Sequence, residues 1–145
     1  MMESGTMESI ERVSVHGGHS GQFCSHATDS LEDIVKAYVD KGFSWVGITE
    51  HAPPVNDELR YSDEAEAGLS ALSLLERFGL YMTECRRLQA EYRSQIQLYA
   101  ALEIETCSGY QEFVPYLVKR FEPDYIVGSV HYVNDINFDY SPRFY

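Results

Sequence analysis

Short apolar runs alternate with amphipathic stretches along the chain. Four runs are predicted as strands, at residues 13–16, 43–49, 95–105 and 124–133. The second and fourth are apolar with little alternation, which is typical of strands covered on both faces. Helical spacing of apolar positions marks residues 31–39, 64–93 and 110–121. The order β, α, β, αα, β, α, β predicts one α/β domain with a parallel sheet and right-handed crossovers.

Helix boundaries and core positions follow from individual residues. Ser30, with Asp33 three residues later, has capping-box spacing and begins the first helix, and Gly42 is placed to end it. In the long helical stretch, Gly79 is predicted to break two helices apart. The core candidates of that stretch are Leu69, Leu72, Leu75, Leu80 and Leu88. Residues 52–63 are the longest irregular loop.

Charge and cysteine usage exclude several classes of protein. Eleven Lys and Arg against 23 Asp and Glu give a net charge of −12. This excludes a nucleic-acid binder that depends on clustered basic residues, and an acidic chain should avoid anionic membranes. Neither a secretory signal nor a transmembrane run is predicted. Cys24, Cys85 and Cys107 show no C-x-x-C pair, so we expect no disulfide framework and a cytoplasmic location.

The five histidines fall in one predicted region. His16, His51 and His131 lie at the ends of predicted strands one, two and four, and Glu103 lies near the end of the third. The carboxyl ends of parallel strands form the rim at which ligands bind in α/β folds. The remaining histidines, His19 and His26, lie in the loop after the first strand.

This set of ligands predicts a metal centre. Imidazole and carboxylate groups together suit zinc, manganese or iron, and six candidates exceed the needs of one tetrahedral ion. A site of two or more metals is therefore the more specific interpretation. Glu103 could bridge two of these metals, because a carboxylate has two donor oxygens. Such a centre makes hydroxide from bound water near neutral pH and clamps phosphoryl oxygens during displacement. It would also offset the repulsion between a phosphate ester and the acidic chain.

Simpler interpretations remain for single residues. His131 alone would be a hydrogen-bonded core residue, and His26 alone a surface residue in a polar loop. Glu105 shares a strand face with Glu103, so it is either a second carboxylate of the site or an exposed or supporting group. Glu50 is expected behind the ligands or at the surface, and Cys24 is expected as a small hydrophobe.

Five stretches of the sequence share a family pattern: His16-Gly17-Gly18-His19-Ser20, Cys24-Ser25-His26, residues 42–53, Ala101-Leu102-Glu103-Ile104-Glu105 and Gly128-Ser129-Val130-His131. In these stretches the sequence resembles the PHP superfamily of metal-dependent phosphoesterases. The Cys-x-His step and the Glu-His-Ala-Pro ending look most like the histidinol-phosphatase branch. The stretches occur in the right order over nearly the whole chain.

The resemblance implies a distorted (β/α)7 barrel that binds up to three divalent metals. The implied ligands are His16 and His19 for the first metal, Glu103 as the bridge to the second, His131 for the second, and His26 and His51 for a third. The implied reaction converts L-histidinol phosphate and water to L-histidinol and phosphate, a step of histidine biosynthesis. The nucleophile is expected to be metal-bound hydroxide.

Two departures from the family pattern change the expectation. Two glycines separate His16 from His19 where the family has one residue, so either the loop bulges or one histidine has left the metal. The family's later histidine and Asp-x-His motif do not follow His131. About four β/α units cannot close a barrel, so we expect residues 1–145 to be the incomplete N-terminal part of a PHP domain, with an open edge available for self-association.

Two alternatives belong to other functional classes. One is the PHP module of a DNA polymerase or another phosphoesterase, although the acidic charge argues against direct DNA contact. The other is an inactive, truncated fragment that acts only as a structural or dimerising piece. Metal analysis of the purified chain separates this fragment from an enzyme.

Overall fold

The computed structural model describes residues 9–24 and 27–137. Its strands and helices alternate as the sequence predicts. In chain order they are β1 (Val13–Ser14), α1 (Leu31–Asp40), β2 (Trp45–His51), a 3₁₀ turn (Asp57–Leu59), α2 (Ser62–Glu66), α3 (Ala71–Glu91), β3 (Gln97–Glu105), α4 (Tyr110–Phe121), β4 (Tyr125–Ser129), β5 (Tyr132–Val133) and β6 (Ile136–Asn137).

The first four strands form one sheet in the order β1-β2-β3-β4, and every neighbouring pair is parallel. The predicted parallel sheet is therefore confirmed. The predicted extent of the fourth strand, residues 124–133, is wrong because β4 ends at Ser129. Val133 instead pairs with Ile136 in a separate hairpin, whose turn residues Asn134 and Asp135 have φ values of 51° and 60°. Two positive φ values in succession fit a tight two-residue turn.

Each central strand has two different faces. The helix face carries Val46 and Ile48 on β2 and Leu98 and Leu102 on β3, which are buried in one core with α1 and α3. The opposite face, called the site face below, carries the alternate residues, because successive side chains of a strand point to opposite sides. At the carboxyl ends of β2 and β3 these alternate residues are polar: Thr49, His51, Glu103 and Glu105.

The sheet curls so that its two edges approach each other across the site face. The Tyr125 side chain on β4 donates a hydrogen bond to the Val15 carbonyl, just beyond β1. It reaches that carbonyl by passing over Gly47 of β2, where a Cβ atom would overlap the Tyr125 hydroxyl. The absent side chain of Gly47 therefore permits the closure. The result is a curled half-barrel with helices on its outer face.

The helices correct two predictions. Gly79 does not break a helix, since α3 runs through it from Ala71 to Glu91. The break lies at Gly68, whose φ of 73° ends α2 before Ser70 caps α3. Leu72 and Leu80 are wrong as core candidates, being 66% and 65% exposed. The core side of α3 comprises Leu74, Phe78, Tyr81, Met82, Cys85 and Leu88.

The other helix predictions are confirmed. The Ser30 hydroxyl accepts a hydrogen bond from the Asp33 amide at the start of α1, and Gly42 follows the helix with a φ of 73°. The bounds of α4 agree with the predicted residues 110–121. Within the described ranges, no helix is both long enough and apolar enough to cross a membrane.

Candidate metal centre

The carboxyl ends of β2, β3 and β4 bring four candidate ligands together. His51, the last residue of β2, is the register partner of Glu103 on β3. Glu105 ends β3 on the same face, and His131 lies two residues beyond the end of β4. The alternation of each strand and the parallel register thus place an imidazole, two carboxylates and a second imidazole in one region.

Glu103 lies at the middle of this region. Its Oε2 is 3.3 Å from His51 Nδ1, and its Oε1 is 3.8 Å from both His16 Nε2 and His131 Nε2. The side chain is only 6% exposed. Burial raises the pKa of the Glu103 carboxyl, because it disfavours the charged form. One buried carboxylate is therefore the common neighbour of three imidazoles that come from the ends of three strands.

Glu105 adds a second carboxylate beside the same imidazoles. Its Oε1 lies 2.7 Å from His131 Nδ1 and 3.9 Å from His51 Nδ1. The side chain is 11% exposed, so the exposed interpretation of Glu105 is wrong. Its Oε2 is buried and has no hydrogen-bond partner among the residues that the structure describes. A buried carboxylate oxygen without a partner is costly to keep, and a cation would satisfy it.

The two histidines of the first loop separate around the glycine pair. Gly18 has a φ of 90°, which permits a bulge of the loop, one of the two outcomes expected from the extra glycine. His16 is hydrogen-bonded to the Thr49 hydroxyl, and its side chain is 48% exposed. His19 instead stacks on His51, with ring centroids 4.3 Å apart. The bulge therefore lets both histidines reach the region while they contact different neighbours.

Glu50 lies behind His19 on the helix face of β2. It is 3% exposed, with its Oε1 3.7 Å from His19 Nδ1 and its Oε2 accepting a hydrogen bond from the Ser20 amide. Burial raises the pKa of Glu50 to about 7. Arg77 lines the same cavity as Glu50 and His51. Of the two expectations for Glu50, the structure favours the position behind the ligands over the surface.

Among the described residues, two triads have ligand atoms that lie within 4.8 Å of one another. They are His19, His51 and Glu103, and His51, Glu105 and His131. Nitrogen and oxygen donors of these types fit zinc, manganese or iron. His51 belongs to both triads, whereas His16 belongs to neither. His26, the sixth predicted ligand, lies outside the described residues.

Tyr61 is part of the region and was not predicted. It follows the 3₁₀ turn that Asn56 caps, and its hydroxyl donates a hydrogen bond to Glu105 Oε1. The Tyr132 hydroxyl donates to the Leu59 carbonyl at 3.0 Å and ties this loop to the chain beyond β4. The loop's position at the carboxyl end of β2 was the available signal, because loops at this end of a parallel sheet supply site residues.

Comparisons with known proteins agree on one family. The PHP domain model matches residues 17–145. A Schizosaccharomyces pombe protein named as a probable histidinol-phosphatase is 38% identical over 132 residues, which is 90% of this chain and 42% of that protein. The histidinol-phosphatase of Saccharomyces cerevisiae is 27% identical and is also covered over 42% of its length. The chain thus spans less than half the length of these curated relatives.

Solved structures agree on the fold. The crystal structure of Lactococcus lactis histidinol phosphate phosphatase, complexed with zinc, L-histidinol and phosphate, has a TM-score of 0.67 at 19% identity. The match covers 90% of this chain and 44% of that one. A Listeria monocytogenes structure has a TM-score of 0.70 at 21% identity, over 93% of this chain and 50% of that one.

Proposed function

The chain belongs to the PHP domain family, and on this premise we propose that it supplies the metal-binding strands of a phosphomonoester hydrolase. The observation that carries the proposal is the position of Glu103, a buried carboxylate whose oxygens lie 3.3 to 3.8 Å from three imidazoles. The substrate we propose is L-histidinol phosphate, with L-histidinol and phosphate as products. Two curated relatives with histidinol-phosphatase in their names support this choice.

The proposed cofactors are divalent metal ions, up to three, of zinc, manganese or iron. Their proposed ligands are His16, His19, His26, His51, Glu103 and His131. Divalent cations act as Lewis acids on phosphoryl oxygens and neutralise developing charge. The zinc in the Lactococcus lactis structure and the two triads of this chain support the use of metals.

The chain's own charges make cations necessary for this function. The chain carries a net charge of −12, and Glu50, Glu103 and Glu105 lie within the candidate site. These carboxylates would repel a phosphate monoester, and bound divalent ions are often the largest local charges in such sites. The role of Glu103 is to hold cations between imidazoles of different strands. The role of His51, which belongs to both triads, is to couple the two groups of ligands.

We further propose that the chain is part of a longer protein whose other strands complete the barrel. Its 42% share of the length of two curated relatives supports this, as do the four strands of the sheet. In isolation, the outer edge of β4 would be open to pairing with a second copy, and such self-association stays a prediction. The buried thiols Cys85 and Cys107, neither in a disulfide within the described ranges, support a cytoplasmic location.

Metal binding and phosphate release test the proposed function. We expect the purified chain to bind Mn²⁺ or Zn²⁺. Glu103→Gln and His51→Ala should each weaken metal binding by about 100-fold. Loss of a hydrogen bond to a metal ligand weakens binding by up to about 100-fold, and loss of the ligand itself should cost at least as much. Equilibrium dialysis with elemental analysis measures this. Release of phosphate from L-histidinol phosphate is assayed on the chain and on the full-length gene product.

Glu112→Gln is the matched control, since Glu112 is exposed in the first turn of α4. This variant should bind metal as the original chain does. Unchanged metal affinity in both site variants would refute the assignment of the centre. A full-length product that binds metal but releases no phosphate from L-histidinol phosphate would refute the proposed substrate.

A further inference from the structure

Tyr61 is held in place by contacts on several sides. Its amide donates a hydrogen bond to Glu64 Oε2 at 2.9 Å, at the start of α2. Its ring packs edge-on against His51 at 5.4 Å and lies tilted against Tyr132 at 6.0 Å between centroids. Because Tyr132 also donates to the Leu59 carbonyl, the loop before Tyr61 is anchored as well. The hydroxyl of Tyr61 therefore has a defined position.

That hydroxyl lies between two members of one triad. It donates a hydrogen bond to Glu105 Oε1 and lies 3.5 Å from His131 Nδ1. The same Glu105 oxygen is 2.7 Å from His131 Nδ1. The other oxygen of Glu105 is buried and has no hydrogen-bond partner among the described residues. One oxygen is thus fixed by the protein, while the other remains available as a ligand.

We propose that Tyr61 is a positioning residue that holds the Glu105 carboxylate as a metal ligand beside His51 and His131. This inference rests on the proposed function, because it assumes that the triad binds a divalent cation. It adds Glu105 as a ligand to the six proposed above, and Tyr61 as the residue that orients it.

The chemistry of the donor supports this role. A lysine or arginine partner would neutralise Glu105 and so compete with a bound cation. A neutral hydroxyl orients the carboxylate and leaves its negative charge available to the metal. Hydrogen bonds of this kind to ligating carboxylates orient them and raise metal affinity. Without the Tyr61 hydroxyl, Glu105 loses the donor that fixes its Oε1 and, among the described residues, is held there by its contacts with His51 and His131.

The test is a Co²⁺ titration of the chain, followed by equilibrium dialysis and visible absorption. Tyr61→Phe keeps the ring and removes only the hydroxyl, and it should weaken Co²⁺ binding about 10-fold or more and alter the Co²⁺ spectrum. Tyr92→Phe is the matched control, because Tyr92 donates to Glu32 Oε1 at 2.7 Å in a different part of the molecule. It should bind Co²⁺ within twofold of the original chain.

A double-variant cycle separates positioning from general stability. Glu105→Gln should weaken Co²⁺ binding, and adding Tyr61→Phe should weaken it no further, since Tyr61 acts through Glu105. Additive losses would overturn the proposal, and so would unchanged binding in Tyr61→Phe. A chain that binds no Co²⁺ would overturn this inference and the metal assignment together. If Co²⁺ binding depends on Tyr61 but the full-length protein releases no phosphate from L-histidinol phosphate, the inference stands. Only the proposed function is then refuted.

Discussion

The central strands and the edge strands of the sheet differ in how firmly they hold their side chains. Ile48 on β2 and Leu102 on β3 are 1% and 0% exposed, because each strand has a neighbour on both sides and helices over one face. Val13 on β1 and Ile126 on β4 are 40% and 36% exposed. β1 has two residues and β4 has five, against seven and nine for β2 and β3.

The candidate site shows the same difference. The side chains of His51 and Glu103, on the central strands, are 16% and 6% exposed, whereas that of His16, just beyond the edge strand β1, is 48% exposed. His16 also lies outside both triads.

His131, just beyond the other edge strand, is 21% exposed, because Glu105 and Tyr61 lie beside it. An edge position therefore leaves a ligand exposed where no loop covers it, as at His16. A completed barrel would give β1 and β4 a second neighbour each and reduce this difference.

The largest expected effect compares two register partners. Leu102 on β3 pairs with Ile126 on β4. Leu102→Ala should lower the free energy of unfolding by about 2 to 5 kcal/mol, because it leaves a cavity in the closed core. Ile126→Ala should lower it by less than about 1.5 kcal/mol, because this partly exposed side chain loses less buried area. Urea denaturation measures both, and equal losses would contradict the comparison.

A smaller loss of stability is expected when alanine replaces a glycine of the sheet. Gly47→Ala on β2 places a Cβ where the Tyr125 hydroxyl lies, and the overlap should cost about 1 to 3 kcal/mol of unfolding free energy. Gly128→Ala on β4 is the matched control, since its Cβ would meet no atom within 4 Å. That change should stay within about 0.5 kcal/mol. Thermal or urea unfolding measures both, and equal stability of the two variants would show that Tyr125 does not need the space over Gly47.

The central strands could be predicted from sequence because the signal is local. The run without alternation around Ile48 predicts a strand covered on both faces, and polar residues at strand ends predict the rim of a parallel sheet. These two signals are enough to place His51 and Glu103 in one region. The same pattern around Ile126 predicts cover on both faces for β4, which is wrong because β4 is an edge strand and Ile126 is 36% exposed.

A local signal was wrong at Gly79, because a glycine inside a helix costs only about 1 kcal/mol. Its neighbour Phe78 is buried and packs against Phe121 of α4, with ring centroids 5.0 Å apart. Such contacts between residues distant in the sequence keep α3 continuous, and no local pattern shows them.

The loop residues of the site could not be predicted because their positions also depend on contacts between residues that are distant in the sequence. Tyr61 reaches Glu105 because a capped 3₁₀ turn and the Tyr132 hydroxyl fix the loop, and neither has a periodic sequence signal. For the two glycines between His16 and His19, the sequence leaves two possibilities open, a bulged loop or a histidine that no longer binds the metal. The positive φ of Gly18 permits the bulge, but the stacking of His19 on His51 depends on packing between two loops.

The smallest expected effect compares two tyrosine hydroxyls that donate to carbonyls of the sheet region. The Tyr81 hydroxyl on α3 is fully buried and lies 2.9 Å from the Ile48 carbonyl oxygen and 2.6 Å from that of Ala101, which share its one hydrogen. Tyr81→Phe should cost about 1 to 2 kcal/mol, because buried carbonyls lose a donor that water cannot replace. Tyr125→Phe removes the bond to the exposed Val15 carbonyl near β1 and should cost about 0.5 kcal/mol or less, since water can replace that donor.

Both tyrosine variants keep the aromatic ring, so differences in urea unfolding report the hydroxyl alone. If Tyr125→Phe lowers the free energy of unfolding as much as Tyr81→Phe does, the contact between the sheet edges is as well shielded from water as the core. The curl of the sheet would then be a fixed property of these four strands. The expected small loss means instead that the curl depends mainly on the buried central strands, and that the edge strands remain able to adjust to further strands of a barrel.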